Sequence, residues 1–329
     1  MKELFSLTAA LVAALGLSTA AFAQPATQGF SFDPGGVLAL VSHATQGRDP
    51  KPLHPRRASH SLYEQTTSRP VLRQQGCDAA RAGVGGVVIL DFGKLAWNGH
   101  SYGTILFGGG FAGNRAITRA MAAYAFGYHH CLPAGSLAHI DLARGTSNYH
   151  PAVPDVFTAG RKWARETTAL SHLLYFRGID QHVTSAAADD SEPAWDPAFH
   201  KTRDFFRGYR AAGNGRTLYN YGSLDGGVGA FWNARQLYFV SGGMRYSRVI
   251  PEIYNHAMAS EWAELAAVVR RSIHRDIRFA GVMTQYATGC GCSLNPPTAH
   301  ESLVRALAAQ VGEQAPDVPA TATNITAAS

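Results

Sequence analysis

From about residue 83 onward, short apolar runs alternate with longer stretches in which apolar residues recur every three to four positions. The run 85–93, Gly-Gly-Val-Val-Ile-Leu-Asp-Phe-Gly, is continuous, as in a strand buried on both faces. A second short run at 104–107 leads into the glycine-rich stretch 108–113. Residues 114–128 then carry Ile117, Met121, Tyr124 and Tyr128 at helical spacing. A strand over 137–143, a polar loop over 145–149 and a helix over 155–176 follow. The small, β-prone segment 182–187 runs into the acidic stretch 188–192. A helix then opens at Asp196-Pro197, with the aspartate as N-cap and the proline at the first helical position, and ends near 211. Strands are predicted over 218–222 and 236–241, a short strand or loop over 249–254, and a helix over 258–273 with Trp262, Leu265 and Val269 on one face. The last strand is 277–284 and the last helix 297–311.

Strand followed by helix, repeated about seven times, implies a mostly parallel sheet. Such a sheet is either open and doubly wound or closed into a barrel. The length favours the barrel: an α/β, TIM-barrel-like fold over residues 83–311, irregular in its second half. Residues 24–82, rich in Pro, Gly, Ser, His and Arg, read as an extended or partly ordered lead-in. The Ala-, Thr- and Pro-rich stretch 312–329 reads as a disordered tail. Residues 1–23 carry Lys2, an apolar run and an Ala21-Phe22-Ala23 site, the pattern of a signal peptide cleaved before Gln24. A secreted or periplasmic protein is therefore expected, with no stable membrane insertion.

The formal net charge is +6. Its basic residues are scattered rather than striped, so no nucleic-acid partner is expected. An attraction to anionic surfaces is in keeping with the charge. The four cysteines are Cys77, Cys131, Cys290 and Cys292. An even number in an exported chain points to disulfides, and Cys77 with Cys131 is the expected pair. Cys290 and Cys292 flank a single residue and would close on each other only with strain.

The chemistry concentrates in the acids. Asp91, Asp141, Asp190, Glu192, Asp225 and Glu252 all fall at predicted strand ends or in the loops just after them. In a barrel these ends converge on one face, where active sites are built. Asp190 and Glu192 are two apart and share a face of an extended segment, with Asp189 on the other. Two carboxyls forced together have their pKa values pushed apart, one charged and one protonated, as glycoside hydrolysis requires. Glu192 is the better acid, because Pro193 and Trp195 make its surroundings apolar; Asp190 or Asp91 would be its partner. An acidic turn that merely starts a helix is the structural alternative. Trp195, Tyr221 and Tyr286 are aromatics placed to stack on sugar rings.

An aspartate ending the first strand, a later Asp-x-Glu, a Tyr-rich strand after the next helix and a late Gln-Tyr together resemble glycoside hydrolase family 25. That family comprises secreted, lysozyme-like muramidases on an irregular α/β barrel. The chain is also similar to the wider set of secreted bacterial glycoside-hydrolase-like barrels. The resemblance implies Asp91 as the first-strand aspartate, Asp190 and Glu192 as the Asp-x-Glu with Glu192 the general acid, and Gln285 and Tyr286 as the Gln-Tyr. It implies a polysaccharide substrate, peptidoglycan first. The chain departs from the family in its Leu-Asp-Phe-Gly first strand, its long lead-in, and the Cys-Gly-Cys loop and helix after Gln285-Tyr286.

Other chemistries fit less well. Residues 108–113 match Gly-x-Gly-x-x-Gly, but no acid follows at the spacing a dinucleotide site needs. Gly145-Thr146-Ser147-Asn148-Tyr149 lacks the second glycine of a nucleophile elbow. His129, His130 and Cys131 lack a metal-binding helix motif and sit where a helix end favours histidine. No metal and no cofactor is expected. The alternative from another class is a non-catalytic carbohydrate-binding or cell-surface protein on the same barrel.

Overall fold

The computed structural model describes residues 57–213, 215–287, 290 and 292–328. The expected signal peptide and most of the lead-in lie outside the described residues. Eight parallel strands follow the chain around the sheet: β1 (Arg57–Tyr63), β2 (Gly86–Trp97), β5 (Ile140–Ala152), β6 (Val183–Asp189), β7 (Leu218–Asn220), β8 (Ser247–Val249), β9 (Val282–Thr284) and β10 (Thr321–Ala327). β10 pairs with both β1 and β9, and the bridges Val249–Phe279 and Glu252–Met283 join β8 to the β9 side. The result is a nearly closed α/β barrel, as the alternation predicts.

Helices α1 (Arg69–Arg81), α2 (Asn114–Cys131), α3 (Val156–Phe176), α4 (His200–Ala211), α5 (Ala234–Tyr238), α6 (His256–Ile273) and α7 (Pro296–Val311) connect these strands. The continuous apolar run of β2 now has its cause. Val88, Leu90 and Phe92 pack outward in the cluster that holds Ile117, Met121, Tyr124 and Tyr128 of α2. Val87 and Ile89 pack inward with Ala143, Ala186, Ala188, Tyr219 and Tyr221. Small alanines from β5 and β6 leave room for Tyr219 of β7 and Tyr221 just after it, so the barrel interior is filled side chain by side chain.

Several expectations need correction. The lead-in does not extend to residue 82: β1 and α1 lie within it. The predicted tail contains β10. Both strands face the interior with small hydroxyls, Ser59, Ser61 and Thr323, so neither shows an apolar alternation. The predicted second strand belongs to an antiparallel hairpin, β3 (Tyr102–Ile105) with β4 (Phe111–Gly113), which rises from the end of β2. The glycine-rich stretch turns this hairpin. The predicted strand at 236–241 is helical instead, because Asn233 and Gln236 form a capping box that starts α5. Asp196 is not the residue preceding α4, but its carboxylate still accepts from the Thr202 N–H of that helix at 2.8 Å.

Cys77 on α1 and Cys131 at the end of α2 form a disulfide across 54 residues, and Cys290 pairs with Cys292. Closing a loop of that length restricts the unfolded chain by about 4 kcal/mol. The double variant Cys77→Ser/Cys131→Ser should therefore lose stability on that order in a denaturant titration. An unchanged midpoint would show that packing of α1 on α2 already supplies the constraint.

Glu64 follows β1 and is fully buried. Neither of its oxygens finds a hydrogen bond of good geometry. Burial pushes its carboxyl up to about 8, against the neighbouring Gln75 side chain, and nearby Asp91 adds to the rise. The folded pKa lies above the ordinary value, so the stabilising contribution is complete below pH ~4.5 and is lost as pH rises through about 8. Glu64→Gln should raise stability at pH 8.5 by on the order of 2 kcal/mol and change little at pH 4. Thermal unfolding at the two pH values checks this; equal shifts at both would assign the effect to packing.

Candidate functional site

Inward-facing positions at the C-terminal ends of the strands bring an acid layer to the top of the barrel. β2 contributes Asp91, Asp190 follows directly on β6, and Glu192 stands two residues beyond it. Glu252 follows β8. Two glycines set this spacing. A Cβ on Gly145 of β5 would stand 2.9 Å from the Asp91 Cα, and one on Gly222 would stand 2.6 Å from the Ser191 carbonyl oxygen. Glycine therefore lets β5 lie against Asp91, and the turn after β7 against the Asp190–Glu192 segment.

Asp190, Glu192 and Glu252 each place a carboxylate oxygen within 4.8 Å of the others. Three acids this close cannot all ionise at ordinary pH. Burial, then Glu192, Glu252, Asp91 and Asp189, hold the Asp190 carboxyl well above the usual range. Burial and Glu192 do the same to Glu252, against a lowering hydrogen bond with Tyr254. Glu192 is raised by burial and Asp225. Two donors oppose that rise. The Trp195 indole N–H donates to one Glu192 oxygen, and the Ser223 hydroxyl, whose one proton is shared with Asp225 at 2.5 Å, reaches the other at 3.4 Å. The cluster therefore shares its protons, and Glu192 and Glu252 each have a donor to the ionised form. The same spacing also suits chelation of a cation by the three carboxylates.

Asp91 lies fully buried beneath the cluster. One oxygen accepts from the Gly93 N–H at 2.8 Å. Burial pushes its carboxyl up to about 7, against the Gly93 bond and the neighbouring Tyr221 hydroxyl. Asp189 points to the other face, as expected, accepts from the Ser191 hydroxyl at 2.6 Å, and is raised by burial to about 7.

The structure places the remaining predicted residues as follows. Asp225 sits in the turn after β7, where it accepts from the Ala194 N–H at 2.7 Å and from the Ser223 hydroxyl at 2.5 Å. It therefore ties that turn to the Glu192 loop. Trp195 and Tyr286 are exposed, with 38% and 44% of their surface accessible. Gln285 donates to the Tyr63 hydroxyl. Tyr221 is buried in the barrel interior, so it borders the acids from below rather than offering a face for stacking.

Asp141 does not belong to this face. It is the second residue of β5, a strand that continues for eleven more residues, and so it lies at the opposite end of the barrel. There it accepts from the Tyr219 hydroxyl at 2.7 Å, with the His139 ring 3.6 Å away. Burial acts upward, but hydrogen bonds from His139 and Tyr219 hold its carboxyl below the usual range. Two tyrosines of the acid face escape a reading of acids alone. Tyr63 ends β1 inside the presumed lead-in, and Tyr254 follows Glu252. Burial and the surrounding acids raise both hydroxyls, so both stay neutral donors.

No family model matches the chain, and no curated protein matches it. A mandelate racemase/muconate lactonizing enzyme from Labrenzia alexandrii resembles it with a TM-score of 0.32 and 11% identity. The match covers 82% of this chain and 55% of that one, so the chain spans about half the length of that structure. The likeness to family 25 thus rests on the quoted motifs. Among the described residues, no helix is long and apolar enough to cross a membrane.

Proposed function

We propose that this chain is an exported glycoside hydrolase that cleaves a polysaccharide, with peptidoglycan as the first candidate. The observation that carries the reading is the Asp190–Glu192–Glu252 cluster, proton-sharing and set at the strand ends of a barrel. Glycosidases that work through closely spaced carboxyls hold them about 5 Å apart, whereas those that admit a water between them need a wider gap. The spacing here fits the closer class.

Glu192 supplies a proton to the glycosidic oxygen as the bond from that oxygen to the anomeric carbon breaks. The Trp195 donor stabilises the carboxylate it leaves. Asp190 or Glu252 faces the positive charge that develops on the sugar ring. Water then adds at the anomeric carbon and returns a proton to the cluster. Trp195 and Tyr286, exposed at the mouth, offer ring faces to the sugars.

Release of reducing ends from purified peptidoglycan and a panel of polysaccharides tests the reading. At least one glycan should be cleaved, and EDTA should leave the rate unchanged. Activity lost to EDTA and restored by a divalent cation would replace acid catalysis with a metal-assisted mechanism on the same three carboxylates. No cleavage of any glycan would favour the non-catalytic carbohydrate-binding alternative.

A further inference from the structure

Away from the acid layer, the outer face of α1, α2 and α3 carries charge of the opposite sign. A cleft of about 490 Å³ opens beside the β3–β4 hairpin and is lined by Arg115, Lys162 and Arg165, with His100 and Glu166. The first turn of α2 forms one wall, and Gly113 leaves that helix end without a side-chain cap. A second groove, of about 550 Å³, continues along α2. Arg69, Arg73, Arg119 and Arg177 surround it, over a floor that includes Phe126 and Leu173. Seven cations thus line two neighbouring grooves that hold one acid between them. That acid, Glu166, accepts from the Thr118 hydroxyl at 2.7 Å and lies near the buried Arg144. Among the described residues, none of the seven cations takes part in an ion pair.

Six of the seven are exposed arginines, and Lys162 is half-buried beside Tyr102. Like charges gathered on one face without counterions oppose one another, and a polyanion relieves that repulsion. Arginine forks also match carboxylate and phosphate groups in pairs. A single small anion would engage only a few of these groups, whereas a chain of regularly spaced anions engages both grooves.

We propose that the α1–α2–α3 face is a docking site for an anionic polysaccharide, one bearing uronate carboxylates or phosphodiesters. That the occupant is a polyanion rests on the two grooves; that it is a polysaccharide rests on the hydrolase reading above.

Equilibrium binding to polygalacturonate, inorganic polyphosphate and neutral dextran of similar length tests this, at 20 and 150 mM NaCl. No turnover is read. Wild type should bind at least one charged polymer, fail to bind dextran, and weaken steeply with salt. The pairs Arg73→Gln/Arg119→Gln and Arg115→Gln/Lys162→Gln should each weaken binding at least tenfold at the lower salt. Arg271→Gln/Arg275→Gln removes two exposed charges elsewhere and should change it less than twofold. Preference for polygalacturonate identifies carboxylates as the bound groups, and preference for polyphosphate identifies phosphate oxyanions. Equal losses in all three pairs would overturn the proposal, since net charge alone would then explain binding. So would binding to phosphatidylglycerol vesicles with none to either polymer. If the hydrolase reading fails while this holds, groove-dependent binding persists with no glycan cleaved. If this fails alone, cleavage proceeds and the groove variants bind as wild type does.

Discussion

Glu192→Gln should lower kcat on the cleaved polysaccharide by about 10²–10⁴-fold, the range that a positioned general acid contributes. Glutamine keeps the shape of the side chain and one carbonyl oxygen, so the bond from Trp195 survives. What it lacks is a transferable proton. The loss should fall on kcat with KM changed little, because the group acts on the breaking bond. A leaving-group test separates this role from a structural one. An aryl glycoside whose phenol leaves without protonation should be cleaved by Glu192→Gln at a rate much nearer to wild type. An equal loss on both substrates would show that Glu192 positions the loop and does not deliver a proton. The wild-type rate should also fall as pH rises and the cluster empties, since the raised affinities of Asp190, Glu192 and Glu252 keep the proton supply full only on the acid side.

The sequence made these acids visible because strand ends in an alternating α/β chain have a fixed meaning: inward residues there meet at one mouth. Asp91, Asp190, Glu192 and Glu252 could be found by that rule. Asp141 could not be excluded by it. The stretch Gly145-Thr146-Ser147-Asn148-Tyr149 read as a polar loop, yet it continues β5. Arg144 faces outward and stacks 3.8 Å over the Trp163 ring, which hides a charge from an apolar count. Gly145 is there to fit beside Asp91. β1 and β10 were illegible for a related reason. Most of their interior residues are small hydroxyls, with Ser61 and Thr323 bonded at 2.8 Å and the Ile89 N–H donating to Ser61 at 2.9 Å, and Ile325 is left as the one aliphatic of β10 in the interior cluster. A polar barrel wall leaves no hydrophobic period to detect. Tyr63 stayed hidden with its strand. The run at 236–241 failed in the other direction, since β-prone aromatics and valine yielded to a local capping box at Asn233.

Glu252→Gln should give a more stable protein that is a worse enzyme. Glu252 is almost fully buried, and its ionisation is opposed first by burial and then by Glu192. Its folded pKa stands well above the ordinary value of 4.5. Wild type therefore draws full stability from this site below the unfolded pKa and loses it as pH rises through the folded one. Glutamine cannot ionise, so the variant escapes the loss. Removing a buried like-charge contact should be worth on the order of 1–3 kcal/mol at pH 8. For a domain of this size that is about 2–10 °C in Tm, shrinking toward zero near pH 4. Activity should fall at least tenfold, because the amide neither shares protons with Glu192 nor balances charge on the sugar ring. The two readouts must move in opposite directions. If Glu252→Gln instead destabilises equally at pH 4 and pH 8, its bond to Tyr254 is what matters, and Glu252 is a brace for the loop after β8. A gain in stability with activity intact would remove Glu252 from the catalytic set and leave Asp190 with Glu192 as the working pair.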